Sequence, residues 1–137
     1  MPTVVIASPK GGAGKSTAAI LLGTELAHAG ANVVMLDCDP NRSLTLWADR
    51  GPLPDRISVL SNVAESDIVK TIKQHDTDGQ IVIVDLEGVA SRLVSRAISQ
   101  ADLVITPMRA KPVSVTCSSV RSKTLSGLTS RWSSRWL

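Results

Sequence analysis

The chain has 137 residues, 43% of them hydrophobic and 20% charged, which excludes a disordered polymer and is enough for one domain with a buried core. No apolar run reaches the ~18 residues of a membrane span, and Met1-Pro2-Thr3 lacks the basic start of a secretory leader, so a cytoplasmic location is expected. The net charge of +3 is uneven: residues 1–112 carry 11 Lys/Arg against 12 Asp/Glu, whereas residues 113–137 carry four Lys/Arg and no acid, so charge alone does not assign nucleic-acid binding.

The first apolar run, TVVIAS at 3–8, is β-branched and too short for a helix, so it reads as a buried strand. It enters the glycine-rich stretch SPKGGAGKST. Strong helix formers follow from Lys15 to Ala29, with Ile20, Leu21, Leu22 and Leu26 as the expected apolar face and Gly30 as the stop. ANVVMLDCD gives a second strand with acids at its carboxyl end. A short helix is expected in SLTLWADRG, where Leu44, Trp47 and Ala48 have helical spacing. ISVLS is a third strand, AESDIVKTIKQH a helix burying Ile68, Val69 and Ile72, and QIVIVDLEG a fourth strand. VASRLVSRAISQA places Ala90, Leu93, Val94, Ala97 and Ile98 on one helical face, and DLVITP is a fifth strand. Continuous apolar strands alternating with helices predict an α/β fold, a mostly parallel sheet covered by helices on both faces. After Pro112 the pattern stops: residues 113–137 hold eight serines and no sustained period.

Ligands of a parallel sheet gather at the carboxyl ends of its strands, and three of these ends carry polar clusters. Gly11, Gly12 and Gly14 let the backbone turn N–H groups toward an anion where a helix opens. Lys15 would reach the β- and γ-phosphates of a nucleotide, and the Ser16 hydroxyl would ligate Mg²⁺. The alternative is a glycine-rich turn without a ligand. At the second cluster, DCDP, one carboxylate of Asp37 and Asp39 can hold metal-bound water while the other orients an attacking water; a pair of helix caps or surface acids is the alternative. Cys38 lies between them and should face the opposite side of the strand. At the third, Asp85 can bind Mg²⁺ through its water shell, with Gly88 near the γ-phosphate. Cys38 and Cys117 have no metal-ligand spacing, and His28 and His75 read as surface residues.

The usual phosphate-loop spacing G-x-x-x-x-G-K-[ST] fails here, because its first glycine would fall on Pro9. KGGAGKST instead resembles the deviant Walker A motif, K-G-G-x-G-K-[ST], of the ParA/MinD group of P-loop ATPases. VVMLDCDPN is similar to that group's second motif, with Asn41 where Gln is common, and ADLVITPMRA is similar to the segment before its next helix. The D-x-D-P form points to ParA partition ATPases and VirC1-type relatives.

The resemblance covers residues 3 to about 112 and implies the following. Residues 1–112 form the N-terminal region of a ParA-like ATPase, leaving the fold incomplete at the C-terminus. Gly11, Gly12, Ala13, Gly14, Lys15, Ser16 and Thr17 bind ATP. Lys10, Lys15 and Asp39 serve catalysis, Lys10 by reaching the phosphates of a partner subunit's ATP and Asp39 by orienting the hydrolytic water. Ser16, Asp37 and Asp85 serve Mg²⁺. Members form ATP-dependent homodimers, coat DNA nonspecifically and are discharged by a ParB-like partner, which would make the protein nucleoid-associated and a mover of plasmids or chromosomes. DLEGVAS departs from the more frequent D-x-P-P after the Walker B acid. Residues 113–137 match nothing in the group and read as a disordered or frameshifted tail, with a Trp/Arg membrane anchor as the rival reading. A nucleotide-binding regulatory module without turnover, or a non-functional fragment, is the alternative to an ATPase.

Overall fold

The computed structural model describes residues 2–8, 12–64, 66–76, 80–87 and 91–108. The expectations for Lys10, Gly11, Gly88, Ala90, Cys117 and the tail at 113–137 fall outside these residues. The elements follow in the predicted order: β1 (Thr3–Ile6), α1 (Lys15–His28), β2 (Asn32–Cys38), α2 (Ser43–Ala48), β3 (Ile57–Ser61), α3 (Ile68–His75), β4 (Gln80–Leu86), α4 (Arg92–Gln100) and β5 (Leu103–Ile105).

The five strands form one parallel sheet in the order β3-β2-β4-β1-β5. The second strand does not pair with the first; β4 lies between them. Successive side chains of a strand face opposite ways, so each strand feeds two cores. Val4 and Ile6, Val33 and Met35, and Ile81 and Ile83 pack against α1 and α2 through Ala19, Ala27 and Leu44. The intervening residues Val5, Val34, Leu36, Val82, Val84 and Leu86 pack against α3 and α4 through Ile68, Ile72 and Ala97. Helices therefore cover both faces. Among the described residues, no helix is long and apolar enough to cross a membrane.

One expectation is corrected in part. The face of α1 that lies deepest is Ala19, Gly23 and Ala27; Ile20, Leu22 and Leu26 flank it, partly buried against the same core as expected, whereas Leu21 is 62% exposed. Small residues win because α1 lies close on the sheet: a Cβ at Gly23 would overlap the Met35 methyl and come within 3.4 Å of Ile83 Cδ1. Met35 is itself fully buried, so its methyl has little room to withdraw. Gly23→Leu is therefore expected to lower stability by about 1–3 kcal/mol in urea unfolding, because it overfills this contact. The fifth strand, present as expected, lies at a sheet edge, pairs only with β1 among the described strands, and leaves Leu103 44% exposed.

The same edge is held by Asp102, just before β5. Its Oδ2 accepts the Thr3 N–H at 2.8 Å, its own N–H donates to the Thr3 carbonyl at 2.9 Å, and the Ala7 N–H donates to the Ile105 carbonyl at 3.0 Å. These bonds fix β1 at both ends, immediately before the glycine loop.

Candidate nucleotide and metal site

Sequence dictates the local shape of the loop. Gly12 (φ 69°) and Gly14 (φ 88°) occupy the left-handed region, which costs a side-chain-bearing residue energy and glycine almost none. Gly14 is the N-cap of α1 and offers no side-chain acceptor, and the first turn contains no acid. The first helical bond is from the Ala18 N–H to the Gly14 carbonyl at 2.9 Å. The N–H groups of Lys15, Ser16 and Thr17 therefore precede any intrahelical acceptor, at the positive end of the helix dipole, where an anion is stabilised. Lys15 is buried, with only 6% of its surface exposed.

Three carboxylates converge on this helix end. Asp37 and Asp85 are direct register partners across the β2–β4 ladder, and both are buried. Asp85 is wholly inaccessible and neither of its oxygens has a hydrogen-bond partner among the described residues. Burial pushes its pKa up from 3.8 to about 6; Asp39 and Asp37 push the same way, while the nearby Ser16 hydroxyl and Lys15 oppose them. Ser16 thus stands close enough to act on the carboxyl without making a hydrogen bond of good geometry to it. A buried carboxylate lacking donors is costly unless a cation completes it. The donor set of Ser16 and Asp85 suits a hard divalent ion. Among the described residues no group of three or more His, Cys, Asp or Glu forms a self-sufficient metal cage. Mg²⁺ is usually held by one or two carboxylates together with substrate phosphates, so Asp85 with Ser16 is a donor set it can use.

The other two acids are already engaged. Asp37 Oδ2 accepts the Thr45 N–H at 2.8 Å and the Thr45 hydroxyl at 2.7 Å, while Oδ1 receives only a 3.4 Å contact from the Asp39 N–H. Asp37 thereby satisfies a free N–H in the first turn of α2. Asp39 Oδ1 accepts both the Asn41 N–H and Asn41 Nδ2, each at 2.8 Å. Cys38 turns to the opposite face, as expected, and packs beside the second core. Burial first, then Asp37 and Asp85, push its thiol up to about 12, so it is unreactive.

A pocket of about 560 Å³ opens between the loop and α2. Gly12, Gly14, Lys15, Ser16 and Thr17 line one side, and Asp39, Asn41, Trp47 and Arg50 the other. Ala13, Asp37 and Asp85 do not line it; the two acids lie buried below its polar wall. Sequence reasoning missed Thr45, Trp47 and Arg50 as neighbours of the site. The only available signal was the short helical spacing after Pro40, which does not tell toward which side the helix turns.

A parallel sheet whose first strand runs through left-handed glycines into an uncapped helix, with acids at two adjoining strand ends, defines a P-loop nucleotide-binding domain. The model of the CobQ/CobB/MinD/ParA nucleotide binding domain matches residues 4–125. The chain belongs to that family. It is 72% identical over 116 residues to the protein ParA of Rhizobium radiobacter, a match covering 85% of this chain and 52% of that protein, so it spans about half the length of this relative. A plasmid partition protein from Borrelia burgdorferi B31, bound to AMPPNP, has a TM-score of 0.62 at 21% identity, over 78% of this chain and 61% of that one. Cobyrinic acid a,c-diamide synthase from Mycobacterium smegmatis, with a bound ATP analogue and magnesium, has a TM-score of 0.64 at 21% identity, over 79% and 58%. At such identities the two structures speak for a shared fold.

Proposed function

We infer that the chain binds Mg²⁺–ATP at this pocket and hydrolyses it as part of a ParA-type partition system. The observation that carries this reading is the buried Asp85, without a hydrogen-bond partner among the described residues, in register with Asp37 beneath a phosphate loop holding a buried Lys15. The similarity to ParA of Rhizobium radiobacter supports partition rather than another use of the fold.

In this reading the free N–H groups at the start of α1 and the Lys15 ammonium hold the β- and γ-phosphates, and Ser16 with Asp85 and Asp37 holds Mg²⁺. Magnesium would supply positive charge against the phosphate oxygens. Asp39, fixed by its two bonds from Asn41, lines the pocket and orients a water for attack on the γ-phosphorus. The bond to the ADP oxygen breaks as the water oxygen bonds to phosphorus, giving ADP and inorganic phosphate. Lys10 is assigned to a partner subunit's phosphates, which makes the active species an ATP-dependent homodimer. Nonspecific DNA and a ParB-like protein are the proposed partners, with the protein residing on the nucleoid in the cytoplasm.

The test is phosphate release by the full chain with ATP and Mg²⁺, with and without duplex DNA, alongside light scattering with a slowly hydrolysed ATP analogue. Turnover that rises with DNA and a doubled mass that disappears in Lys10→Ala are the expected results. Binding of a fluorescent ATP analogue without turnover or mass change would leave a regulatory nucleotide module instead. No nucleotide binding would sink the reading altogether.

A further inference from the structure

One side chain outside the motifs determines how a motif acid is presented. Thr45 lies in α2, eight residues after Asp37, and donates both its backbone N–H (2.8 Å) and its hydroxyl (2.7 Å) to the same oxygen, Asp37 Oδ2. Asp37 Oδ1 has only the long 3.4 Å contact from the Asp39 N–H. The two oxygens are therefore unequal: Oδ2 is saturated from α2, and Oδ1 keeps most of its capacity to accept. Rotating the carboxyl away from this orientation would break both Thr45 bonds. The helix that supplies those bonds is itself held by Leu44, which is fully buried in the core beneath. Asp37 also stands in register beside Asp85, whose oxygens await a donor or a cation.

We propose that Thr45 is a positioning residue for the magnesium–nucleotide site, fixing the Asp37 carboxylate so that Oδ1 is presented to the hydrated cation. This rests on the nucleotide reading above and deepens it. Groups that orient a metal-binding carboxylate without touching the metal govern affinity for it, because an unfixed carboxylate must lose rotational freedom on binding. The same contact ties strand β2 to the helix carrying Trp47, which lines the pocket.

The experiment titrates Mg²⁺ into the full chain with N-methylanthraniloyl-ATP and follows anisotropy, beginning from EDTA. Thr45→Val keeps the β-branched shape and the N–H while removing the hydroxyl donor. Its half-saturating Mg²⁺ concentration is expected to rise roughly ten-fold, with nucleotide affinity in EDTA within about two-fold of wild type and with Thr45→Ser restoring the wild-type value. Added to Asp37→Asn, Thr45→Val should shift the titration no further, because the carboxylate it positions is gone. A Thr45→Val midpoint within about two-fold of wild type overturns the proposal, as does a defect in Thr45→Ser equal to that of Thr45→Val or an independent shift in the double variant. If circular dichroism shows Thr45→Val unfolded, Thr45→Ala takes its place under the same criteria. Wild type that binds nucleotide indifferently to Mg²⁺ overturns this proposal and the metal part of the underlying reading while leaving nucleotide binding; wild type that binds no nucleotide overturns the underlying reading whole.

Discussion

Lys15→Ala is expected to lower ATP hydrolysis by at least about 100-fold, the scale seen when one preorganised donor to developing charge is removed from an enclosed site. Lys15 is the cation the structure places at the mouth of α1, buried on the wall of the pocket and close enough to Asp85 to counter the rise in its pKa. Its loss removes attraction for the phosphates and leaves three nearby carboxylates opposed by less positive charge. Steady-state phosphate release and fluorescent-nucleotide anisotropy measure the two consequences. The fold should survive, because α1 is anchored by Ala19, Gly23 and Ala27 further along the helix. Activity within about two-fold of wild type in a folded variant would remove Lys15 from the proposed site.

Asp85→Asn separates stability from function. In the metal-free chain Asp85 ionises with a pKa of about 6 against an ordinary 3.8, so the folded state holds its proton more tightly than the unfolded state. The cost of burying the carboxylate is absent below pH 3.8, grows as pH rises from 3.8 toward 6, and is constant above that, at about 3 kcal/mol. Asparagine carries no charge to bury. The difference in unfolding free energy between Asp85→Asn and wild type should therefore grow in favour of the variant across that window and level off above it. Above pH 7 the variant should be the more stable of the two without ligand.

Mg²⁺–ATP should reverse the order. A ligand at ~1,000 times its Kd stabilises the folded state by about 4.1 kcal/mol, more than the buried carboxylate costs, and the variant is expected to lose most of that gain. Urea unfolding at several pH values, with and without Mg²⁺ and nucleotide, measures both effects. A variant less stable than wild type at pH 7 without ligand would show that Asp85 has donors the structure lacks.

Much of this site can be read before folding, because its pieces are local. Glycines at 12 and 14 are needed where the backbone turns left-handed, Lys15 and Ser16 open the helix that follows, and Asp85 ends an apolar run. Strand and helix identities were legible for the same reason: β-branched runs and three-to-four-residue apolar spacing act within a few residues. The exposure of Leu21 on α1 was not, since Leu21 and Ala19 compete for the sheet and the answer depends on how near Met35 and Ile83 come. Thr45 was invisible as well. Its spacing from Asp37 has no meaning until the chain after Pro40 turns back over the end of β2.

The sequence by itself determined the elements, their order, the phosphate loop and the three acids that could serve it. Tertiary structure decided the strand order, and with it the chemistry of those acids. Placing β4 between β1 and β2 brings Asp85 beside Asp37 across 48 positions of chain, and no periodicity encodes that distance. Burial then divides their roles. Asp37 receives Thr45, Asp39 receives Asn41, and Asp85 receives no donor among the described residues. Desolvation is a property of the assembled core rather than of any residue, which is why the acid with the least local sequence signal became the one most in need of a cation.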